Sequence, residues 1–332
     1  MDPQGVWHED DHEIGENVVG YYADLFCSNR LTEFTRLLDV VQPKVLDDMN
    51  RMLNMPFQDL EVYSSLKRMY PLKSLGPDGM PPLFFQHFWP TIGNTVTKMV
   101  LDFLNFGFAP PKFNDTYVVL IPKNKDPKNI FDYRPISLCN VIFKLASKVI
   151  ANTLKKILPS IISDTQSAFV YGRLITDNIL VAFEAMHHIS KKKAGKKGTM
   201  ALKLDMSKAY DRVEWVYLEK IMEQLGFNQC WRRLIMRCVT TVSYSFRING
   251  KVYGSVQPSR GIRHGDPLSL YLFLIVAESL SSQIRKSVEV GTLEGVAVCR
   301  GGPKLSHLFF ADDSLIFCKA TFSECESLQG IF

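Results

Sequence analysis

The stretch His307-Leu308-Phe309-Phe310-Ala311-Asp312-Asp313-Ser314-Leu315-Ile316-Phe317 constrains the rest of the chain more than any other. Two apolar runs, each the length of a buried strand, meet at a tight turn that carries two adjacent carboxylates. Packing does not ask for such a pair. An Asp in a turn ordinarily hydrogen-bonds its own backbone, so the plain reading is a surface hairpin tip. The sharper reading is a rigid hairpin that presents hard oxygen ligands to Mg²⁺, and that reading needs a further carboxylate from elsewhere in the sequence.

Met200-Ala201-Leu202-Lys203-Leu204-Asp205 supplies a candidate. It alternates, with Met200, Leu202 and Leu204 on one face and Ala201, Lys203 and Asp205 on the other, so Asp205 ends a strand. Asp211 and Glu214 have capping-box spacing before the stripe Leu218, Ile221, Met222 and Leu225, and Gly226 suits a helix end. Asp211 is thus expected to be an N-cap, which leaves Asp205 without a structural explanation.

The chain can bury such a site. It is 46% hydrophobic and 11% aromatic over 332 residues, the composition of a packed protein with more than one core. Lys and Arg outnumber Asp and Glu by 39 to 34. The distribution says more than the excess: residues 1–16 carry acids and no Lys or Arg, whereas residues 191–203 are lysine-rich without an acid. Such a basic run is a solvated loop or, beside a catalytic segment, a place to hold a phosphate backbone. The seven cysteines form no C-x-x-C pair, which predicts reduced, mostly buried thiols in an intracellular protein, with no zinc site. The apolar run Pro267 to Leu280 is too short to span a bilayer, so no membrane role is expected.

Along the chain, residues 1–70 read as short helices, with Val18–Phe26 apolar on one face and Leu60, Tyr63, Leu66 and Tyr70 at helical spacing. After the turn Gly76-Pro77-Asp78-Gly79, a helix is predicted over Ile92–Phe106, ending near Gly107. Thr116–Lys123 and Tyr133–Leu138 form a hairpin with Lys123 and Arg134 near one another, either plain loop cations or an anion site. A long amphipathic helix from Leu138 to Leu158 is closed by Pro159, and another runs from Asp177 to His188. His187 and His188 are adjacent and point to different sides, so they are not a ligand pair. Val239–Ile248 and Val252–Val256 meet at Asn249-Gly250, a strong two-residue turn signal. Ser259 to Pro267 is a glycine-bearing basic loop, with Asp266 as N-cap and Pro267 opening the next helix.

Asp205 at a strand end and Asp312-Asp313 at a hairpin turn are placed where one sheet could present them together. Two-metal phosphoryl transfer needs carboxylates from neighbouring strands, and a basic hairpin upstream suits a triphosphate. The residues then resemble a known series. Leu204-Asp205-Met206-Ser207-Lys208-Ala209-Tyr210-Asp211 is similar to motif A of reverse transcriptases, Arg260 to Ser269 to motif B, and Phe310-Ala311-Asp312-Asp313 to motif C. Leu120-Ile121-Pro122-Lys123, Tyr133 to Leu138 and Gln166-Ser167-Ala168-Phe169-Val170 resemble the finger motifs, and Gly76-Pro77-Asp78-Gly79 those of non-LTR, LINE-type retrotransposon polymerases of plant genomes. The likeness runs from about residue 60 onward, in order and spacing.

The resemblance implies an α+β, right-hand polymerase fold with fingers and a split βαβ-type antiparallel palm sheet. Residues 1–70 would be a helical N-terminal segment, 71–198 the fingers and 199–332 the palm. It implies that Asp205 and Asp312 ligate two Mg²⁺ ions, or Mn²⁺ in their place, with Asp313 less directly bound and the Met206 carbonyl as a further ligand. Tyr210 resembles the steric gate against a 2′-hydroxyl. Arg134 and Lys123 would hold the dNTP triphosphate, and Gly261, Arg263 and Gly265 would contact template and nucleotide. Implied partners are an RNA template and a DNA primer, with the nucleus as compartment. Three positions depart from the family pattern: His264 stands where Gln is usual, and Leu270 and Tyr171 where Pro is usual. The family's thumb is not recognised, so the chain is expected to be a copy truncated after motif C. A catalytically silent remnant of the same fold therefore stands as the alternative. A two-metal nuclease or a two-carboxylate glycosidase would leave Tyr210, Arg134 and the motif order unexplained.

Overall fold

The computed structural model describes residues 5–29, 33–191, 198–299 and 301–332, so most of the lysine-rich run lies outside the described residues. Helices α1 (Asp11–Leu25), α2 (Thr35–Leu38), α3 (Asp47–Leu53), α4 (Asp59–Lys67), α5 (Pro82–His87) and α6 (Trp89–Leu101) come first. A π-turn over Asp102–Phe106 continues α6 and ends at Gly107, whose φ of 78° fits the expected stop. In α4 the buried residues are Val62, Ser65 and Leu66, while Leu60 is 75% exposed. The expected stripe was therefore out of phase, because Leu66 belongs to both settings and the charged residues discriminate poorly.

Strands β1 (Asp115–Pro122) and β2 (Tyr133–Cys139) form the expected antiparallel hairpin, with Ile121 opposite Arg134. Next come α7 (Val141–Leu154), α8 (Leu158–Ile161), α9 (Ile175–Lys191) and β3 (Thr199–Asp205). The helix expected over 138–158 stops at Leu154, and Pro159 opens α8 rather than closing α7, since its missing N–H costs nothing in a first turn. Then follow α10 (Trp215–Gln224), α11 (Gln229–Thr240), β4 (Ser243–Ile248) and β5 (Lys251–Val256). Val239 lies in α11, so the expected strand starts four residues late, but Asn249 and Gly250 turn with φ of 49° and 81° as their types require. The chain continues through α12 (Ser269–Glu289), β6 (Val296–Ala297), β7 (Lys304–Leu305), β8 (His307–Phe310), β9 (Asp313–Lys319) and α13 (Phe322–Gln329).

Two sheets organise the molecule. One has the order β2-β1-β4-β5, with β1 and β4 parallel, so it joins residues on both sides of the expected border at 198. The other is the antiparallel β3-β9-β8. Its alternation is used on both faces: Met200, Leu204, Ile316 and Cys318 pack with Ile284 of α12 and Leu328 of α13, whereas Ala201, Leu315 and Phe317 pack with Ala182 and Ala185 of α9. The largest core runs from Val18 of α1 through α4, α7, α10 and α11 to Leu274 of α12. α1 lies on the first sheet, where Tyr22 stacks on Phe246 at 5.1 Å.

The thiols are all free, with Cys139, Cys238 and Cys318 buried and the other four exposed, which corrects the expectation of mostly buried cysteines. No helix among the described residues is long and apolar enough to cross a membrane.

Candidate active site

The β8–β9 hairpin turns at Ala311-Asp312, between the paired residues Phe310 and Asp313. In the neighbouring pair, Asp205 stands opposite Asp313, and Met206 N–H donates to the Asp312 carbonyl at 3.4 Å. The strand-end acid and the hairpin acids are thus neighbours across one ladder, although they are far apart in sequence. Asp205 and Asp312 line a cleft of about 380 Å³ together with Lys123, Tyr133, Arg134, Met206, Tyr210 and His264.

The cleft wall is built by three segments that hold one another. Ile262 N–H donates to the Tyr210 carbonyl at 2.9 Å, Gly261 N–H to Val213 O at 2.8 Å, and Ser137 N–H to His264 O at 2.9 Å. The loop 259–265 therefore ties the turn after β3 to strand β2. Gly261 is required there: its φ is 92°, and a Cβ would stand 2.8 Å from the Asp211 carbonyl.

Tyr210 is half-buried, stacked on Phe273 at 5.0 Å and tilted against His264 at 4.8 Å. Burial, and then the negative charge of Asp312, push its phenol up to about 12. The ring therefore stays neutral and acts as a flat wall of the cleft. Lys123 is exposed, with its Nζ donating to Phe131 O at 2.8 Å, and Arg134 is exposed on the same hairpin. Both cations stand exposed at the cleft edge, where they can meet a soluble anion.

Other expected residues lie elsewhere. Asp313 is ion-paired with Lys203 at 3.2 Å and does not line the cleft. Gly261, Arg263 and Gly265 do not line it either. For Arg263 the expectation of an anion contact is corrected: its side chain is 4% exposed and bonds Asp266 at 3.0 Å, Asn114 and the Cys238 carbonyl, with Phe143 beneath it. Its charge is spent inside the core. Asp266 accepts from Leu268 N–H at 3.0 Å, and the helix begins only at Ser269. Asp211 is not the N-cap of α10, which is Glu214. Instead Asp211 is buried, with Oδ1 at 3.2 Å from His264 Nε2, although the angle does not make a hydrogen bond.

Among the residues at the cleft that the sequence left without a role are Phe273, which backs Tyr210, and Lys208, which lines the cleft. Phe273 gave no signal, being one of two aromatics on α12. Lys208 gave one only in hindsight: it adopts φ 57°, its Nζ has no hydrogen-bond partner, and it lies over the Tyr21 and Tyr22 rings of α1. Burial holds its pKa below the usual lysine value.

For a divalent ion the fit rests on two carboxylates. Asp205 and Asp312 offer hard oxygens to one cleft, the chemistry Mg²⁺ prefers. Among the described residues, no group of three His, Cys, Asp or Glu side chains converges as ligands: Asp313 is ion-paired with Lys203, and Asp211, which also lines the cleft, stands against His264.

Residues 121–330 match the family described as reverse transcriptase (RNA-dependent DNA polymerase). The chain is 27% identical over 310 residues to the transposon TX1 uncharacterized 149 kDa protein of Xenopus laevis, covering 93% of this chain and 23% of that protein. It is 25% identical over 244 residues to the retrovirus-related Pol polyprotein from type-1 retrotransposable element R2 of Nasonia vitripennis, covering 74% of this chain and 22% of that one. Over 69 residues it is 51% identical to the uncharacterized mitochondrial protein AtMg01250 of Arabidopsis thaliana, covering 21% of this chain and 57% of that protein. The chain thus spans about a quarter of the length of the first two relatives and just over half of the third.

Proposed function

The chain belongs to the reverse transcriptase family, and on that premise we propose that it is the RNA-directed DNA polymerase domain of a non-LTR retrotransposon. It would extend a DNA primer on an RNA template by adding a deoxynucleotide to the primer 3′-hydroxyl. The observation that carries this reading is the meeting of Asp205 and Asp312 in one cleft with Tyr210, Lys123 and Arg134.

Each side chain has a task that follows from its place. Lys123 and Arg134 stand on the β1–β2 hairpin at the cleft edge and hold the anionic triphosphate. The Tyr210 face, backed by Phe273, packs under the sugar and leaves no room for a 2′-hydroxyl. Asp205 and Asp312, with the Met206 carbonyl, would hold two Mg²⁺ ions, and Mn²⁺ would serve in their place. Such ions would supply a lowered pKa at the attacking hydroxyl and charge neutralisation for the leaving pyrophosphate. Asp313 would join this set only on release from Lys203. The same reading places the chain in the nucleus, which imaging of a tagged chain would check.

One observation favours the second reading, a silent copy of the fold: the third carboxylate is paired with Lys203 at 3.2 Å instead of facing the cleft. Primer extension on poly(rA)/oligo(dT) with Mg²⁺, comparing the chain with Asp205→Ala, separates the two. Extension that falls to background in the variant supports a polymerase. Equal signals from both proteins sink it and leave the silent copy.

A further inference from the structure

The turn that carries Asp312 is strained and is held by a side chain from another segment. Ala311 adopts φ 61°, a left-handed conformation that an alanine rarely takes. A two-residue hairpin turn of this kind is normally given to Gly, Asn or Asp. Something must hold Ala311 in place, and the structure supplies it in Gln166.

Gln166 is 3% exposed, and its Oε1 accepts from Ala311 N–H at 3.2 Å and from Ala168 N–H at 3.0 Å. Those two N–H donors fix which end of the amide faces the turn, since the flipped amide would set donor against donor. Gln166 is itself anchored. Its carbonyl accepts from Arg173 Nη1 at 2.8 Å, and the same guanidinium bonds Ser163 O, Pro159 O and Ile162 O. The segment around Gln166 also runs along the outer edge of β8, with a parallel bridge from Gln166 to Phe309. There Phe309 N–H donates to Thr165 O at 2.8 Å. Asn178 Nδ2 donates to Thr165 O at 2.8 Å, so α9 backs the same edge.

The next residue after Ala311 is Asp312, whose carbonyl accepts from Met206 N–H beside Asp205. The turn is therefore gripped from two sides, by Met206, the residue after β3, through the Asp312 carbonyl and by Gln166 through Ala311. Rotation at Ala311 is the motion that would carry Asp312 away from Asp205. We propose that Gln166 is a positioning residue: its carboxamide oxygen, on the Ala311 N–H, holds the Asp312 turn in register with Asp205. The catalytic consequence rests on the polymerase reading, whereas the hold on the turn does not.

Two variants test it. Gln166→Met keeps the length and removes the acceptor; Gln166→Glu keeps an acceptor and removes the amide. Amide exchange read by NMR on the full chain should show Ala311 protection falling roughly 10-fold or more in Gln166→Met, with Phe309 protection unchanged within about 2-fold. Gln166→Glu should keep Ala311 protected. Unchanged Ala311 exchange in Gln166→Met overturns the proposal. Should Gln166→Met fail to fold, Gln166→Glu decides alone, since a retained acceptor with lost Ala311 protection overturns it too. Where the wild-type chain extends primers, Gln166→Met should lower kcat by about 10²-fold with the dNTP KM within about 3-fold, the mark of displaced reacting groups rather than lost binding. An unchanged kcat, with Ala311 unprotected, also overturns the positioning role. If the wild-type chain extends nothing, the polymerase reading fails, and the exchange result still decides what Gln166 holds.

Discussion

Tyr210 is fixed by rings on two sides, Phe273 at 5.0 Å and His264 at 4.8 Å, so its face cannot swing out of the cleft cheaply. Tyr210→Ala should therefore raise ribonucleotide incorporation relative to deoxynucleotide by roughly 10- to 100-fold, the range that one contact against a single hydroxyl supplies. Competing rNTP and dNTP extension assays read this directly, and unchanged discrimination would leave Tyr210 as a packing residue. A second residue-scale consequence lies behind the hairpin. His307 is buried, with Nε2 at 2.9 Å from Thr165 Oγ1 and 2.8 Å from Ser281 Oγ. Burial, helped by the Arg285 charge, lowers its pKa from 6.5 to about 4, so the folded protein holds it neutral. The unfolded chain takes up that proton first as pH falls. The stabilisation is whole above pH 6.5, declines between 6.5 and 4, and is gone below, a loss of about 3 kcal/mol. Urea unfolding at pH 7.5 and pH 4 should show this difference in the wild type, and His307→Gln should lack that part of it.

At the scale of elements, the hairpins and the loop 259–265 show what a sequence makes legible and what it hides. The β1–β2, β4–β5 and β8–β9 hairpins could be read because strand alternation and turn residues are local signals. The juxtaposition of Asp205 with Asp312 could be read only through the motif order, since ladder pairing between β3 and β9 leaves no local trace. Arg263 was misread for a related reason. Its neighbours Gly261 and Gly265 mark an open backbone, but the partners that bury it, Asn114 and the Cys238 carbonyl, are distant in sequence. Asp211 was likewise read as a cap from its spacing to Glu214, when the tertiary contact to His264 decides its place. The capping pattern is a weak prior against a buried partner. The loop itself carries a prediction. Gly261→Ala places a Cβ in a left-handed backbone 2.8 Å from the Asp211 carbonyl. It should destabilise the fold by about 1–3 kcal/mol. Chemical denaturation gives the cost, and wild-type stability in the variant would mean that the loop shifts freely off the turn.

For the whole molecule, residues 1–70 suggest no chemistry of their own, yet they brace the helix that backs the cleft. α12 carries Phe273, which supports Tyr210, and its far end packs under the β3-β9-β8 sheet through Ile284. Glu278 lies between these points on α12, with its side chain 1% exposed. Lys44 Nζ stands 2.6 Å from its Oε1, and Ser163 donates to it through N–H at 2.8 Å and Oγ at 2.5 Å. Arg285, at 3.6 Å, is a more distant and more exposed partner. One buried carboxylate thus joins the N-terminal segment, the chain after α8 and the cleft helix. Removing only the cation leaves a buried charge that hydroxyl and amide donors satisfy in part, so Lys44→Met should cost about 3 kcal/mol. Removing the charge from both sides, as Lys44→Met with Glu278→Gln, should recover much of that loss, because the penalty belongs to the unpaired ion rather than to the lost contact. Denaturant unfolding of the two single variants and the double variant closes the cycle. Additive losses would mean that Lys44 and Glu278 do not act as a pair, and that the N-terminal segment rests on α12 through apolar packing alone.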